Sequence, residues 1–111
     1  MITVSAGCGS AMKDYADLFA DDPAKRAEAQ KLSAMTMDIT DFLASLPLET
    51  PKARLDITVT YQDSCHLAHA QRITRAPRQL LAAIPGVQLI EMKNSAQCCG
   101  AGGDYRAVDA H

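Results

Sequence analysis

Apolar and polar positions divide this chain into short strands and helices that alternate. Ile2-Thr3-Val4-Ser5-Ala6 is apolar and partly β-branched and predicts a strand that Gly7 ends. Gly7-Cys8-Gly9-Ser10 reads as a tight turn out of that strand. Ser10 is placed to cap a helix in which Met12, Tyr15, Ala16, Leu18 and Phe19 keep an approximate helical spacing. Asp22 followed by Pro23 signals the next helix start, since proline at the first helical position loses no needed hydrogen bond. From position 23 to 46 the chain is rich in good helix formers. Ala27, Leu32, Met35, Ile39, Phe42, Leu43 and Leu46 recur as its apolar positions, with a break expected near 33–36 and Thr36 or Asp38 capping the restart. Pro47 and Pro51 bracket a linker. Residues 55–61 alternate through Ile57, Thr58, Val59 and Thr60 and predict a second strand. A helix over 76–84 carries Leu80, Leu81 and Ile84 on one face and stops at Pro85-Gly86. Residues 87–92 predict a third strand, and a further helix is expected to begin in the tail after Tyr105.

Strands alternating with helices imply an α/β fold. We expect a small parallel sheet of about three strands with right-handed crossovers and flanking helices. Met12, Met35, Met37 and Met92 sit at core-like spacings. With 111 residues, the chain reads as one domain, 1–111. Opening on an apolar strand suggests a chain that extends further in the N-terminal direction.

Composition narrows the function. Hydrophobic residues make up 48% and charged residues 22%, as in an ordinary globular domain, and the formal net charge of −2 lacks the basic footprint of a nucleic-acid binder. Arg72, Arg75 and Arg78 form one local cluster, read as a solvated helix face. No stretch approaches the roughly 20 apolar residues of a membrane span, and the N-terminus lacks the regions of a signal peptide. These features place the chain in the cytoplasm. There the 4 cysteines stay reduced and read as metal-binding or catalytic rather than as a disulfide framework.

Their placement is the most informative pattern in the chain. Cys8, Cys65 and the pair Cys98-Cys99 each follow a predicted strand, in a turn before or into a helix. Ligands bind parallel sheets outside the carboxyl ends of the strands, so these loops are expected to meet at one edge of one sheet. Adjacent thiols can face one shared object if the backbone bends sharply, which Gly100 permits. Four thiolates can hold zinc or an iron-sulfur cluster. Zinc favours cysteine pairs spaced by two to four residues, which are missing here, although Cys65, His66 and His69 supply a partial set. Adjacent cysteines suit a cluster, whose iron atoms are separate coordination points. Two further readings stay open. One is redox-active thiols at Cys98-Cys99; the other is a Cys65–His66 nucleophile pair. His66 and His69 read as supporting or surface groups, Asp63 as a brace of its loop, and Tyr61 and Tyr105 as packing residues.

Three segments together resemble a known family: Gly7-Cys8-Gly9, Tyr61-Gln62-Asp63-Ser64-Cys65-His66-Leu67 and Cys98-Cys99-Gly100-Ala101-Gly102. The chain is similar to the cysteine-rich CCG domain of the glycolate oxidase iron-sulfur subunit. Related domains occur in lactate-utilisation proteins, anaerobic glycerol-3-phosphate dehydrogenase and heterodisulfide reductase. Pro77-Arg78-Gln79-Leu80-Leu81 followed by Ile84-Pro85-Gly86-Val87 strengthens the likeness. The resemblance implies a 4Fe-4S cluster with Cys65, Cys98 and Cys99 as ligands, while Cys8 matches the end of a preceding unit and is a helper thiol. It implies electron transfer, without substrate turnover by this chain alone, from an FAD-containing partner subunit that oxidises glycolate or lactate. Membrane association is peripheral at most. A later Cys-x-x-Cys of the family pattern and a ferredoxin-like cysteine run are both missing, so the chain reads as a C-terminal fragment truncated at both ends. The other functional readings are a thiol-based redox enzyme or sensor and a metal-free docking domain.

Overall fold

The computed structural model describes residues 1–100. The expected tail helix, Tyr105 and the glycines that follow Gly100 lie outside the described residues. In chain order the elements are β1 (Ile2–Thr3), α1 (Ala6–Lys13), a 3₁₀ turn (Tyr15–Phe19), α2 (Pro23–Met35), β2 (Met37–Asp38), α3 (Ile39–Ser45), β3 (Ile57–Val59), a π-turn (His66–Ala70), α4 (Arg75–Ala82) and β4 (Val87–Leu89). The α/β class with parallel strands and flanking helices is as expected.

Local chemistry explains the starts of α2 and α3. Asp22 caps α2, its carboxylate accepting from the Lys25 backbone N–H at 3.1 Å, with Pro23 in the first turn. The break after Met35 falls where the sequence places it. Asp38 restarts the helix by accepting from the Thr40 N–H at 2.8 Å.

The sheet differs from the expectation. Two parallel pairs form, β1 with β2 and β3 with β4, instead of one sheet of about three strands. The missed element is β2. Its 2 residues are too few to show any alternation, yet Ile2 pairs with Met37 and Thr3 with Asp38. Because β2 captures β1, the N-terminal strand joins its own small sheet.

The N-terminal turn also differs. Helix α1 begins at Ala6, so Gly7-Cys8-Gly9-Ser10 is helical rather than a tight turn. Space explains the glycine. A Cβ on Gly9 would lie 2.6 Å from Thr3 Oγ1 and 3.0 Å from the Gln71 amide. The missing side chain lets α1 close onto β1 and onto the residue that ends the π-turn.

The core is small. Leu67, Ile73 and Ala76 form its buried cluster, with Ala6 and Ala44 packed against it. The methionines do not fill it. Met35 is 63% exposed, and Met37 and Met92 are exposed as well. Short strands and helices leave no layer deep enough to bury them, so regular apolar spacing here marks a surface rather than an interior.

Gly86 sits at a close backbone approach in the β3–β4 unit. It adopts φ +87°, and a Cβ there would sit 2.9 Å from the Leu55 carbonyl oxygen and 2.7 Å from an Asp56 carboxylate oxygen. Gly86→Ala is expected to destabilise the chain by about 2 kcal/mol, from positive φ and backbone contact together. Urea denaturation followed by far-ultraviolet circular dichroism measures this, and an unchanged midpoint would contradict it.

Candidate cysteine site

Strands β3 and β4 run parallel, so their carboxyl ends lie at one edge. The chain leaves β3 through Tyr61-Gln62-Asp63 to Cys65, the residue just before the π-turn. It leaves β4 through Glu91 and a turn at 93–96 to Cys98 and Cys99. Sequence topology thus places three of the cysteines at one sheet edge. Cys8 belongs to the other sheet's strand and rides on α1. Helix α1 lies against the π-turn, and the Gln71 side-chain amide donates to the Ala6 carbonyl at 2.9 Å.

A network of polar contacts holds the two cysteine segments together. The Asp63 N–H donates to the Ser95 carbonyl at 2.8 Å, and the Ser95 hydroxyl donates back to the Asp63 carboxylate at 3.0 Å. The Gln62 amide donates to the Gln97 carbonyl at 3.1 Å, and His69 Nε2 lies 3.2 Å from the Ala96 carbonyl oxygen. The loop after β4 is therefore stitched along its length to the loop after β3.

Arg78, on α4, is the centre of this network. It grips Asp63 with both terminal nitrogens, at 2.7 and 2.8 Å, and grips Glu91 at 2.6 and 3.1 Å. It also donates to the Thr74 carbonyl at 2.8 Å. Its guanidinium lies 5.1 Å from the centroid of the Tyr61 ring, a cation–π contact. Arg78 is therefore no part of a solvated helix face, and the expectation that grouped it with Arg72 and Arg75 is corrected. A signal was present in the sequence: acids follow both strands, at Asp63 and Glu91, and the intervening helix carries an arginine. Asp63 is buried and braces its loop as the sequence suggests. Tyr61 is half-buried beneath Arg78.

The charges respond to this arrangement. The Arg78 hydrogen bonds hold the Asp63 carboxyl below the usual carboxylate range, with Ser95 adding to the effect. Arg78 draws the Glu91 carboxyl down too, and the two acids push the arginine's own proton affinity up. Burial pushes the Tyr61 phenol up, reinforced by Asp63. Because the folded Asp63 carboxyl is more acidic than the unfolded one, its contribution is complete above the unfolded value of about 4. It is lost as pH falls through the lower folded value. We expect Asp63→Asn to flatten the acid limb of the stability curve below about pH 4. Acid titration of the tyrosine near-ultraviolet dichroism checks this, and parallel curves for the two proteins would rule it out.

The cysteines themselves are free thiols. Cys8, Cys98 and Cys99 are exposed, and Cys65 is half-buried. Cys65, His66, His69 and Ala70 line an open cleft of about 250 Å³. Gly100 turns with φ +82°, and its N–H points at Cys98 Sγ at 3.4 Å. Among the described residues no three Cys, His, Asp or Glu side chains are gathered closely enough to hold one metal ion. A cluster asks for less convergence than a single ion, because its iron atoms take ligands at separate points. Free, partly exposed thiols from two facing loops, one of them already accepting a backbone N–H, suit that group in chemistry.

A parallel strand pair with cysteines beyond both carboxyl ends defines a cysteine-rich α/β unit, and comparison with known proteins agrees. The family described as "Cysteine-rich domain" (CCG) matches residues 59–110. Lactate utilization protein A of Geobacillus kaustophilus is 37% identical over 95% of this chain and 44% of its own length. A probable glycolate oxidase iron-sulfur subunit of Bacillus subtilis is 40% identical over 98% of this chain and 25% of its own. An iron-sulfur protein of Methanococcus maripaludis is 41% identical over 96% of this chain and 19% of its own. The chain thus spans less than half the length of these relatives. No solved structure matches it. Among the described residues no helix is long and apolar enough to cross a membrane.

Proposed function

We propose that this chain is an iron-sulfur electron-transfer unit of a complex that oxidises a 2-hydroxy acid. Cys65, Cys98 and Cys99 are its iron ligands, and Cys8 is a helper thiol on α1. The observation that carries the reading is the β3–β4 edge, where two cysteine segments face each other and are stitched together by hydrogen bonds. The named functions of the glycolate oxidase and lactate utilization relatives support it. A bound 4Fe-4S cluster would supply a one-electron store between donor and acceptor. The protein's own part is to present thiolates, to donate the Gly100 N–H to Cys98, and to keep the two loops in register. We place the unit in the cytoplasm, beside an FAD-containing partner subunit and at most peripherally on a membrane.

The test is transfer into the unit. The reconstituted chain is mixed anaerobically with a flavin-containing hydroxy-acid dehydrogenase subunit and either glycolate or lactate. Bleaching of the visible cluster absorption that requires both substrate and flavin subunit is the expected result. Bleaching that is independent of substrate, or none, would count against the proposal. The exposed Cys98-Cys99 pair, with the Gly100 N–H at one sulfur, also suits thiol redox chemistry. That reading requires a reversible loss of two hydrogens at these residues under mild oxidation, read by mass spectrometry.

A further inference from the structure

We propose that Arg78 is the positioning residue of the cysteine site: it clamps the Cys65 and Cys98-Cys99 segments in the register a cluster needs. The inference rests on the iron-sulfur reading above and concerns a residue that carries no ligand atom.

A guanidinium has five N–H donors in a rigid planar fork. In Arg78 every one is used. Nε donates to Glu91, Nη1 to Asp63 and the Thr74 carbonyl, and Nη2 to Asp63 and Glu91. The two carboxylates come from the two different strand ends. Asp63 lies between β3 and Cys65, and Glu91 lies between β4 and Cys98. A single planar group on α4 thus spans both segments that carry the thiols. The Asp63 carboxylate passes the link onward to the Ser95 hydroxyl, close to Cys98 in the chain.

Besides the backbone bond from the Asp63 N–H to the Ser95 carbonyl at 2.8 Å, the other ties are weaker in kind. Gln62 to Gln97 and His69 to Ala96 are single contacts at exposed positions. Asp63 is buried, and the Arg78 side chain is only 21% exposed, so their bidentate pair is shielded and directional. A lysine could neutralise the acids but could not bridge both in one plane.

The experiment reconstitutes the 111-residue chain anaerobically with iron and sulfide, alongside Arg78→Met, Arg78→Lys and Ser95→Ala. Folding is read by far-ultraviolet dichroism, iron retention by competition with a chelator, and the environment of the iron by EPR line shape and reduction potential. Arg78→Met is expected to retain iron about 10- to 100-fold less tightly, the range for groups that orient metal ligands. Arg78→Lys should restore part of this, and Ser95→Ala should weaken retention while the chain stays folded. EPR lines should broaden in both arginine variants. A folded Arg78→Met chain that retains iron like the wild type overturns the inference, as does full rescue by lysine. If Arg78→Met does not fold, Ser95→Ala decides, and wild-type retention there overturns it. A wild-type chain that takes up no iron fails at the iron-sulfur reading itself, an outcome distinct from equal loading of wild type and variants.

Discussion

Cys98→Ser and Cys99→Ser chains are expected to lose the iron-sulfur cluster outright, while their secondary structure is retained. Both side chains are exposed and carry no packing load, so replacing sulfur by oxygen removes a soft ligand and little else. The loss should exceed the roughly 10- to 100-fold effect of disturbing a group behind a ligand. Cys65→Ser should behave alike, although this residue is half-buried beside the π-turn and carries a small folding cost too. Cys8→Ser is the informative contrast. Cys8 belongs to α1 and the other sheet, so its removal should reduce retention without abolishing it. Iron and acid-labile sulfide per chain, measured after desalting, report all four variants. Equal loading of wild type and Cys98→Ser would remove Cys98 from the ligand set.

The second large effect falls on stability. Asp63→Ala is expected to cost about 3 kcal/mol, the low end for breaking a buried ion pair. The low end applies because Arg78 keeps partial exposure and retains Glu91. Asp63 loses a bidentate partner and the Ser95 hydroxyl together, and leaves Arg78 partly unpaired in a shielded place. Removing the other carboxylate should matter much less. Glu91 is exposed, and an exposed ion pair contributes little beyond what solvent returns. Urea denaturation of Asp63→Ala and Glu91→Ala compares two acids on one guanidinium, so the difference isolates burial. Equal losses would mean that the network is held by charge alone.

How far the sequence foretells these results depends on the length of each signal. The caps at Asp22 and Asp38 were legible because a side-chain acceptor next to unpaired N–H groups is a local event. Strands β3 and β4 were legible in position, since β-branched runs bounded by proline and glycine leave little choice. Their observed lengths of 3 residues are shorter than the runs, because only the paired part is regular. Strand β2 was hidden, being too short for any period, and with it the splitting of the sheet. The helical state of Gly7-Cys8-Gly9 ran against glycine's poor helix propensity, of about 1 kcal/mol per residue. What favours it is a close approach to Thr3 and to Gln71, the latter distant in sequence. The exposed methionines show the same limit from the other side: helical spacing tells which face is apolar, not whether anything covers it.

The site divides in the same way. The alternation of strands and helices, with a cysteine after each predicted strand, was enough to place the Cys65 and Cys98-Cys99 segments beyond the ends of paired strands. It was not enough for Arg78, whose meaning comes from a carboxylate at each of two strand ends. The composition of its helix suggested a solvated face; the pairing of β3 with β4 turned that arginine inward.

The central claim is that the β3–β4 edge, with Cys65, Cys98 and Cys99, holds an iron-sulfur cluster. Its most direct test is the EPR spectrum of the reduced, anaerobically reconstituted chain, taken with iron and sulfide counts and beside the Cys98→Ser, Cys99→Ser double variant. A cluster signal is expected in the wild type that the double variant lacks. A signal of equal strength in both proteins, or none in the wild type, would contradict it.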